Sequence, residues 1–319
     1  RYFQDVLTIS WSETPFRPYL FFLDLIIFGH QAVFILPFRR VIGNQLMFLG
    51  QDPLTLDVEP HVFEPSNQTG WRIADIFPGG SGSFAGEFTL IGTTVFFSAR
   101  DSAGSTGMGL YDLWAYDTVS FSVWKVEPDI QPTSLVAVNS DLYFSAGPNA
   151  GNVELWKHET ATNTTFMVKD INTNGSSSPN WLRVMDGTLY FMAYTEDHGR
   201  ELWRSDGTTS GTYMLKDINP GSNSSFHWTP DVFHEELVIV HGDSLYFTAD
   251  DGGQYGTELW RTNGTANGTE LVIDIVPGSD SSWPNRYFNF GDKLYFTSYS
   301  EERGRQLWFY WDNPGPIIG

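Results

Sequence analysis

Residues 189–218 read LYFMAYTEDHGRELWRSDGTTSGTYMLKDI, and this stretch decides the fold. It recurs. Leu245 to Ile275 read LYFTADDGGQYGTELWRTNGTANGTELVIDI, and Leu142 to Ile171 read LYFSAGPNAGNVELWKHETATNTTFMVKDI. A repeat with this spacing outranks any local reading, because each copy folds as one unit that buries its core against its neighbours.

Within a copy, Leu-Tyr-Phe is a short aromatic run of the kind found in buried strands. Glu-Leu-Trp begins a second strand. Asp-Gly-Thr and Gly-Thr close a tight turn, where Gly accepts positive φ and Asp bonds its own backbone. A third strand ends in Asp-Ile. A Pro-Gly-Ser loop follows, then a fourth short apolar strand such as Tyr287–Phe290. Four antiparallel strands per repeat of about 50 residues predict an all-β fold, a β-propeller.

The Leu-Tyr-Phe anchors begin at Leu46, Val95, Leu142, Leu189, Leu245 and Leu294, which predicts six blades. The Asp-Ile anchors number one fewer: Asp75, Asp129, Asp170, Asp217 and Asp274. The last copy, LYFTSYSEERGRQLW from Leu294 to Trp308, has no third strand of its own. Phe3-Gln4-Asp5-Val6 at the start of the chain supplies the pattern. The expectation is a single domain over 1–319, with the N-terminal strand closing the last blade and removing an exposed sheet edge. In the first copy Val58-Glu59-Pro60-His61 stands where Val153-Glu154-Leu155-Trp156 stands later. Proline is confined to strand edges and bulges, so this strand is expected to be distorted or at a rim.

Pro18–Phe38, PYLFFLDLIIFGHQAVFILPF, matches no repeat. Asp24, His30 and Gln31 inside it argue against a membrane span, since a central Asp costs roughly 2.5–3.5 kcal/mol on insertion. One reading makes it a pair of strands in the first blade. The other makes it an apolar insertion whose Phe21, Phe22 and Ile26 contact another subunit.

The 12 Trp and 25 Phe serve the repeats. Trp114, Trp156, Trp203, Trp260 and Trp308 are expected to fill the space between neighbouring sheets. The net charge of −20 excludes a duplex-binding surface and disfavours anionic membranes. No cysteine is present, which excludes disulfides, Cys-ligated zinc and thiol catalysis.

The copies ELWRSDGTTSGTYMLKDINPGSNSS and ELWRTNGTANGTELVIDIVPGSDSS, from Glu201 and Glu258, resemble the ELW-x-x-DGT-x-x-GT repeat family. The resemblance covers Leu142–Trp308. It implies a large secreted or surface protein and an extracellular location, and it says little about activity.

Glycosylation sequons fall at Asn67, Asn163, Asn174, Asn223, Asn263 and Asn267. The repeated aspartates are expected to bond turn amides; the rival reading gives them calcium, which wants several oxygen ligands. The seven His show no HExxH or other zinc spacing, and no GxSxG or P-loop occurs. No cofactor is expected beyond that calcium. These features favour a secreted, glycosylated, non-enzymatic module of a cell surface, matrix or filament, partnered by itself or by extracellular proteins and glycans. A glycan-active propeller enzyme and a multivalent lectin are the alternatives.

Overall fold

The computed structural model describes residues 24–28, 31–52, 56–79, 82–102, 110–148, 152–226 and 237–311. All regular elements among them are β-strands, in six antiparallel sheets. The chain divides into two compact units, residues 1–140 and 141–319.

In the first unit, one sheet runs β1 (Asp24–Phe28), β2 (Gln31–Ile42), β3 (Gln45–Gln51), β4 (Val58–Glu64) and β5 (Thr69–Arg72). The next runs β6 (Gly86–Ile91), β7 (Thr94–Ala99), β8 (Asp112–Asp117) and β9 (Val123–Glu127). Met47, Leu49, Val58, Val62, Phe88, Val95, Phe97 and Tyr116 from both sheets bury together, with Trp114 packed against them. β10 (Thr133–Val138) opens the third sheet.

In the second unit, β11 (Asp141–Ala146), β12 (Glu154–Glu159) and β13 (Thr164–Lys169) follow in order. Then come β14 (Asn180–Met185) to β15 (Thr188–Thr195), β16 (Gly199–Ser205) and β17 (Tyr213–Lys216). The fifth sheet is β18 (Val238–His241), β19 (Ser244–Asp250), β20 (Thr257–Thr262) and β21 (Glu270–Ile273). The last has three strands, β22 (Asn285–Phe290), β23 (Lys293–Ser300) and β24 (Gly304–Tyr310). Trp260 is buried with Leu202, Leu215 and Met192 of the preceding sheet, and Trp308 packs on Tyr246 and Leu259 of the sheet before it. Tryptophan between sheets is therefore the observed arrangement at both positions.

The sheets are phased differently from the repeats. The short apolar strand after each Pro-Gly-Ser loop does not end a sheet; it opens the next one. Tyr287–Phe290, expected as a fourth strand, lies in Asn285–Phe290, which pairs with Lys293–Ser300. The reason is the two-residue turn between them, Gly291-Asp292, across which Phe290 pairs directly with Lys293. In the fourth sheet Asp186 and Gly187 both have positive φ, the conformation that suits a tight hairpin, so Met185 pairs directly with Thr188. Four of the six sheet-opening strands, β6, β10, β14 and β22, also carry a recurring irregularity. Phe84 and Glu87, Gln131 and Ser134, Ser178 and Trp181, and Trp283 and Arg286 all have positive φ, each pair three residues apart. The ladder shifts register at three of these sites. A non-glycine residue in that region is uncommon, and its recurrence assigns the strain to the fold rather than to one site.

β4 is an interior strand rather than a rim strand, paired on both sides by β3 and β5. Pro60 occupies the position where Leu113, Leu155, Leu202 and Leu259 sit at register shifts in the other sheets. The β4–β5 register begins at His61↔Arg72, so that ladder does not call on the N–H that proline lacks. His61, at the tryptophan position, stacks on Phe48 at 5.6 Å. Of Pro18–Phe38, residues 24–28 and 31–38 are strand. Ile26 pairs with Val33, and β1 is one strand more than the four of an ordinary sheet. Phe21, Phe22 and the strand expected at Phe3–Val6 lie outside the described residues. No helix among the described residues is long and apolar enough to cross a membrane.

Candidate functional site

The most repeated polar device is the glutamate of Glu-Leu-Trp. Glu154 is fully buried and accepts the Ile171 N–H at 3.0 Å, the Ser177 N–H at 2.8 Å and the Ser177 hydroxyl at 2.5 Å. Glu201 does the same with Ile218 at 3.0 Å, Ser225 N–H at 3.2 Å and Ser225 Oγ at 2.5 Å. Glu258 repeats it with Ile275 and Ser282, and Glu59 with Ile76, Phe77 and Ser83. Each serine carbonyl in turn accepts an N–H from the following sheet: Arg100, Tyr194, Asp250 and Tyr299. A carboxylate from one sheet thus fixes the loop leading into the next. Burial raises all four glutamates above their ordinary range, and Glu201 and Glu258 are pushed up to about 7. In the second sheet Asp112 takes the position, accepts the Asp129 N–H at 2.7 Å and pairs with Lys125 at 2.7 Å.

This corrects the role expected of the Asp-Ile aspartates. The glutamates bind the loop amides. Asp75, Asp129 and Asp170 are exposed; Asp217 bonds His198, and Asp274 accepts one amide, from Gly278 at 3.2 Å. Asp75 does join Asp57 and Glu59 in the one acidic group found among the described residues, with ligand atoms within 4.8 Å of one another. Arg72 already pairs there with Asp57 at 3.2 Å and Asp75 at 3.3 Å, and Glu59 is occupied by amides and Ser83. The positive charge the group needs is supplied by a guanidinium, so the residues do not call for calcium.

Lysines stitch the sheets of the second unit. Lys169 Nζ donates to the Thr212 carbonyl at 2.7 Å and lies 5.8 Å from the Trp203 ring. Lys216 repeats this on Thr269 at 2.6 Å and Trp260 at 5.7 Å. The indole nitrogens of Trp114, Trp156, Trp203 and Trp260 are all buried without a hydrogen-bond partner.

All six sequon asparagines are exposed. Their hydroxyl partners have work inside the fold. Ser225 holds Glu201, Ser176 accepts the Val153 N–H, and Thr165 bonds His158. Thr69 and Thr265 donate to the side chains of Asn67 and Asn263, and Thr269 donates to the Thr265 carbonyl. The turns of the repeat account for the hydroxyls by themselves.

A further departure from the repeat opens a cavity. A cavity of about 360 Å³ opens between residues 171–174, after β13, and Thr195–His198, the turn joining β15 to β16. Trp203 and Met214 also line it. His198 Nδ1 is 2.9 Å from Asp217 Oδ2, and Asn174 Nδ2 donates to Glu196 at 3.0 Å. The Thr195 hydroxyl is buried without a partner. At the next junction Asn219 and Gly252 stand where Asn172 and Glu196 stand here. A Cβ on Gly252 would come 2.2 Å from Asn219 Oδ1, so that space is filled. A second cavity, about 280 Å³, lies in the first unit beside Phe84, Tyr111 and Pro132 and is largely apolar. Sequence reasoning missed the first cavity, since its walls are far apart in the chain; the Glu-Asp-His run at 196–198, absent from the other copies, was the available signal.

Solved structures with this arrangement are recognisable. The β-propeller domain of the Trilobed protease from Pyrococcus furiosus matches over 92% of this chain and 84% of its own, with a TM-score of 0.53 and 11% identity. The fold is a β-propeller. A prolyl endopeptidase matches this propeller over 91% of its length with a TM-score of 0.56 and 12% identity, and a puromycin hydrolase over 92% with 0.53 and 11%. The propeller spans 44% of the first chain and 52% of the second. No protein-family model matches the sequence, and no curated protein matches it. The expectation of an adhesive or structural module, and with it the glycan-active and lectin alternatives, is corrected: the structures found similar are a prolyl endopeptidase, the propeller domain of a protease and a puromycin hydrolase.

Proposed function

We propose that this chain is the propeller of a peptide-processing system, a module that carries no hydrolytic centre and admits or holds peptides for a hydrolase part. That part sits in the same polypeptide or in a separate one. One observation carries the reading: structures similar in fold with a TM-score above 0.5 include a prolyl endopeptidase and the propeller domain of a protease, and this propeller accounts for 44% of the first. The His198–Asp217 pair supports it from the other side, since no described hydroxyl is bonded to the second ring nitrogen. The test has two arms. Protein isolated from its source is treated with a fluorophosphonate probe, and residues 1–319 are titrated with extended peptides. Labelling outside residues 1–319, or on a co-purified chain, together with peptide binding, is expected. An unlabelled native protein, or a propeller that binds no peptide, overturns the reading.

We propose further that the six sheets are the blades, and that residues 3–6 complete the last one. The support is that this sheet has three strands among the described residues, with Leu307 of its outer strand 59% exposed. Deleting residues 1–8 should then lower the melting temperature, and an unchanged melting curve refutes the closure.

A further inference from the structure

We propose that the cavity between residues 171–174 and 195–198 receives a basic side chain of a peptide, an arginine guanidinium above all. The inference rests on the peptide-processing reading and names the part of a peptide that this site takes.

Four observations lead there. First, the cavity is a departure from the repeat. Its counterpart is closed by Gly252 lying on Asn219, so the fold itself does not require the opening. Second, its volume, about 360 Å³, is enough for a long side chain and the backbone that presents it. Third, its walls offer acceptors. Glu196 and Asp197 bring two carboxylates, and no Lys or Arg lines it. Asn174 uses its amide N–H₂ on Glu196, which leaves the side-chain carbonyl for a ligand donor. Fourth, the nearby charges do not cancel the carboxylates. Lys169 has its ammonium on the Thr212 carbonyl, and His198 is held by Asp217. A guanidinium carries five N–H donors and no acceptor, matches two carboxylates and amide oxygens, and sheds water more readily than an ammonium. An acidic side chain would meet like charge, and an aliphatic one would strand the acceptors.

The experiment uses residues 1–319 and three acetylated, amidated tripeptides: Ala-Arg-Ala, Ala-norleucine-Ala and Ala-Glu-Ala, titrated calorimetrically at low salt. The arginine peptide should bind about tenfold tighter than the norleucine one, as a charge-assisted pair implies. Glu196→Gln with Asp197→Asn should remove that preference without moving the melting temperature. Asp250→Asn with Asp251→Asn, charges of the next blade, should leave it intact; loss there would show diffuse attraction to an acidic chain and overturn the site. Equal affinity for the three peptides overturns the inference and leaves the peptide-processing reading standing. Arginine selectivity in a protein that fails the hydrolase-probe test leaves the site standing and removes the reading.

Discussion

Replacing Glu201 by Gln should change how stability depends on pH more than it changes stability itself. The carboxylate is fully buried under four donors from Ile218, Asn219 and Ser225, with no cation beside it. Burial outweighs those donors and pushes its pKa up to about 7, against 4.5 for a free glutamate. The sign follows from linkage. A folded-state pKa above the unfolded one means that the native protein holds the proton more tightly, so stability is fully present below pH 4.5 and is lost as pH rises through 7. Between about pH 5.5 and pH 8 this single site should cost the wild type about 2 kcal/mol. The glutamine of the Glu201→Gln variant does not titrate. Its amide leaves one inward-facing N–H without an acceptor, a fixed loss of about 1–3 kcal/mol. Urea unfolding of both proteins at the two pH values gives four free energies. The gap between wild type and Glu201→Gln should narrow by about 2 kcal/mol on going to pH 8. A gap that stays constant, or widens, would refute the claim that burial dominates at this carboxylate.

Trp260→Ala should cost roughly 3–5 kcal/mol, since the ring is 7% exposed in a cluster drawn from two sheets; thermal unfolding measures it. Gly199→Ala should destabilise by more than about 2 kcal/mol, because φ is +62° and the new Cβ would lie 2.1 Å from the Asn223 carbonyl oxygen, so backbone must move. Lys216→Met should lower stability by about 1–3 kcal/mol through the lost bond to Thr269 and the contact with Trp260, and urea midpoints would show it.

Much of the architecture was legible in the sequence, because the aromatic and Glu-Leu-Trp runs alternate with a strand period and recur at fixed spacing. The phase of the sheets was less so. A repeat copied along a chain can be cut anywhere, and it is two-residue turns such as Asp186-Gly187 and Gly291-Asp292 that join the strand before to the strand after. The glutamates were passed over because a polar residue beside Leu-Trp looks like the outward member of an alternating strand. Its partner serine lies 24 residues on, as Ser225 lies from Glu201 and Ser282 from Glu258, too far for a local pattern. The cavity at 195–198 was illegible for a similar reason, with one wall in the preceding repeat. Glu59 is the instructive case: its copy is so eroded that proline stands beside it, yet the carboxylate still holds Ile76, Phe77 and Ser83.

The spacing of the glutamate and its serine has an evolutionary consequence. Acceptor and donor lie within half a repeat of each other, and the serine carbonyl accepts from the strand that follows. A duplicated segment therefore brings both halves of its own fastening, and it joins the copy downstream through a backbone amide, which any sequence possesses. Gene duplication could lengthen or shorten such an array one unit at a time with no compensating substitution elsewhere. In one copy the acceptor itself has changed: Gln306-Leu307-Trp308 stands where Glu-Leu-Trp stands in the others, and an amide replaces the carboxylate.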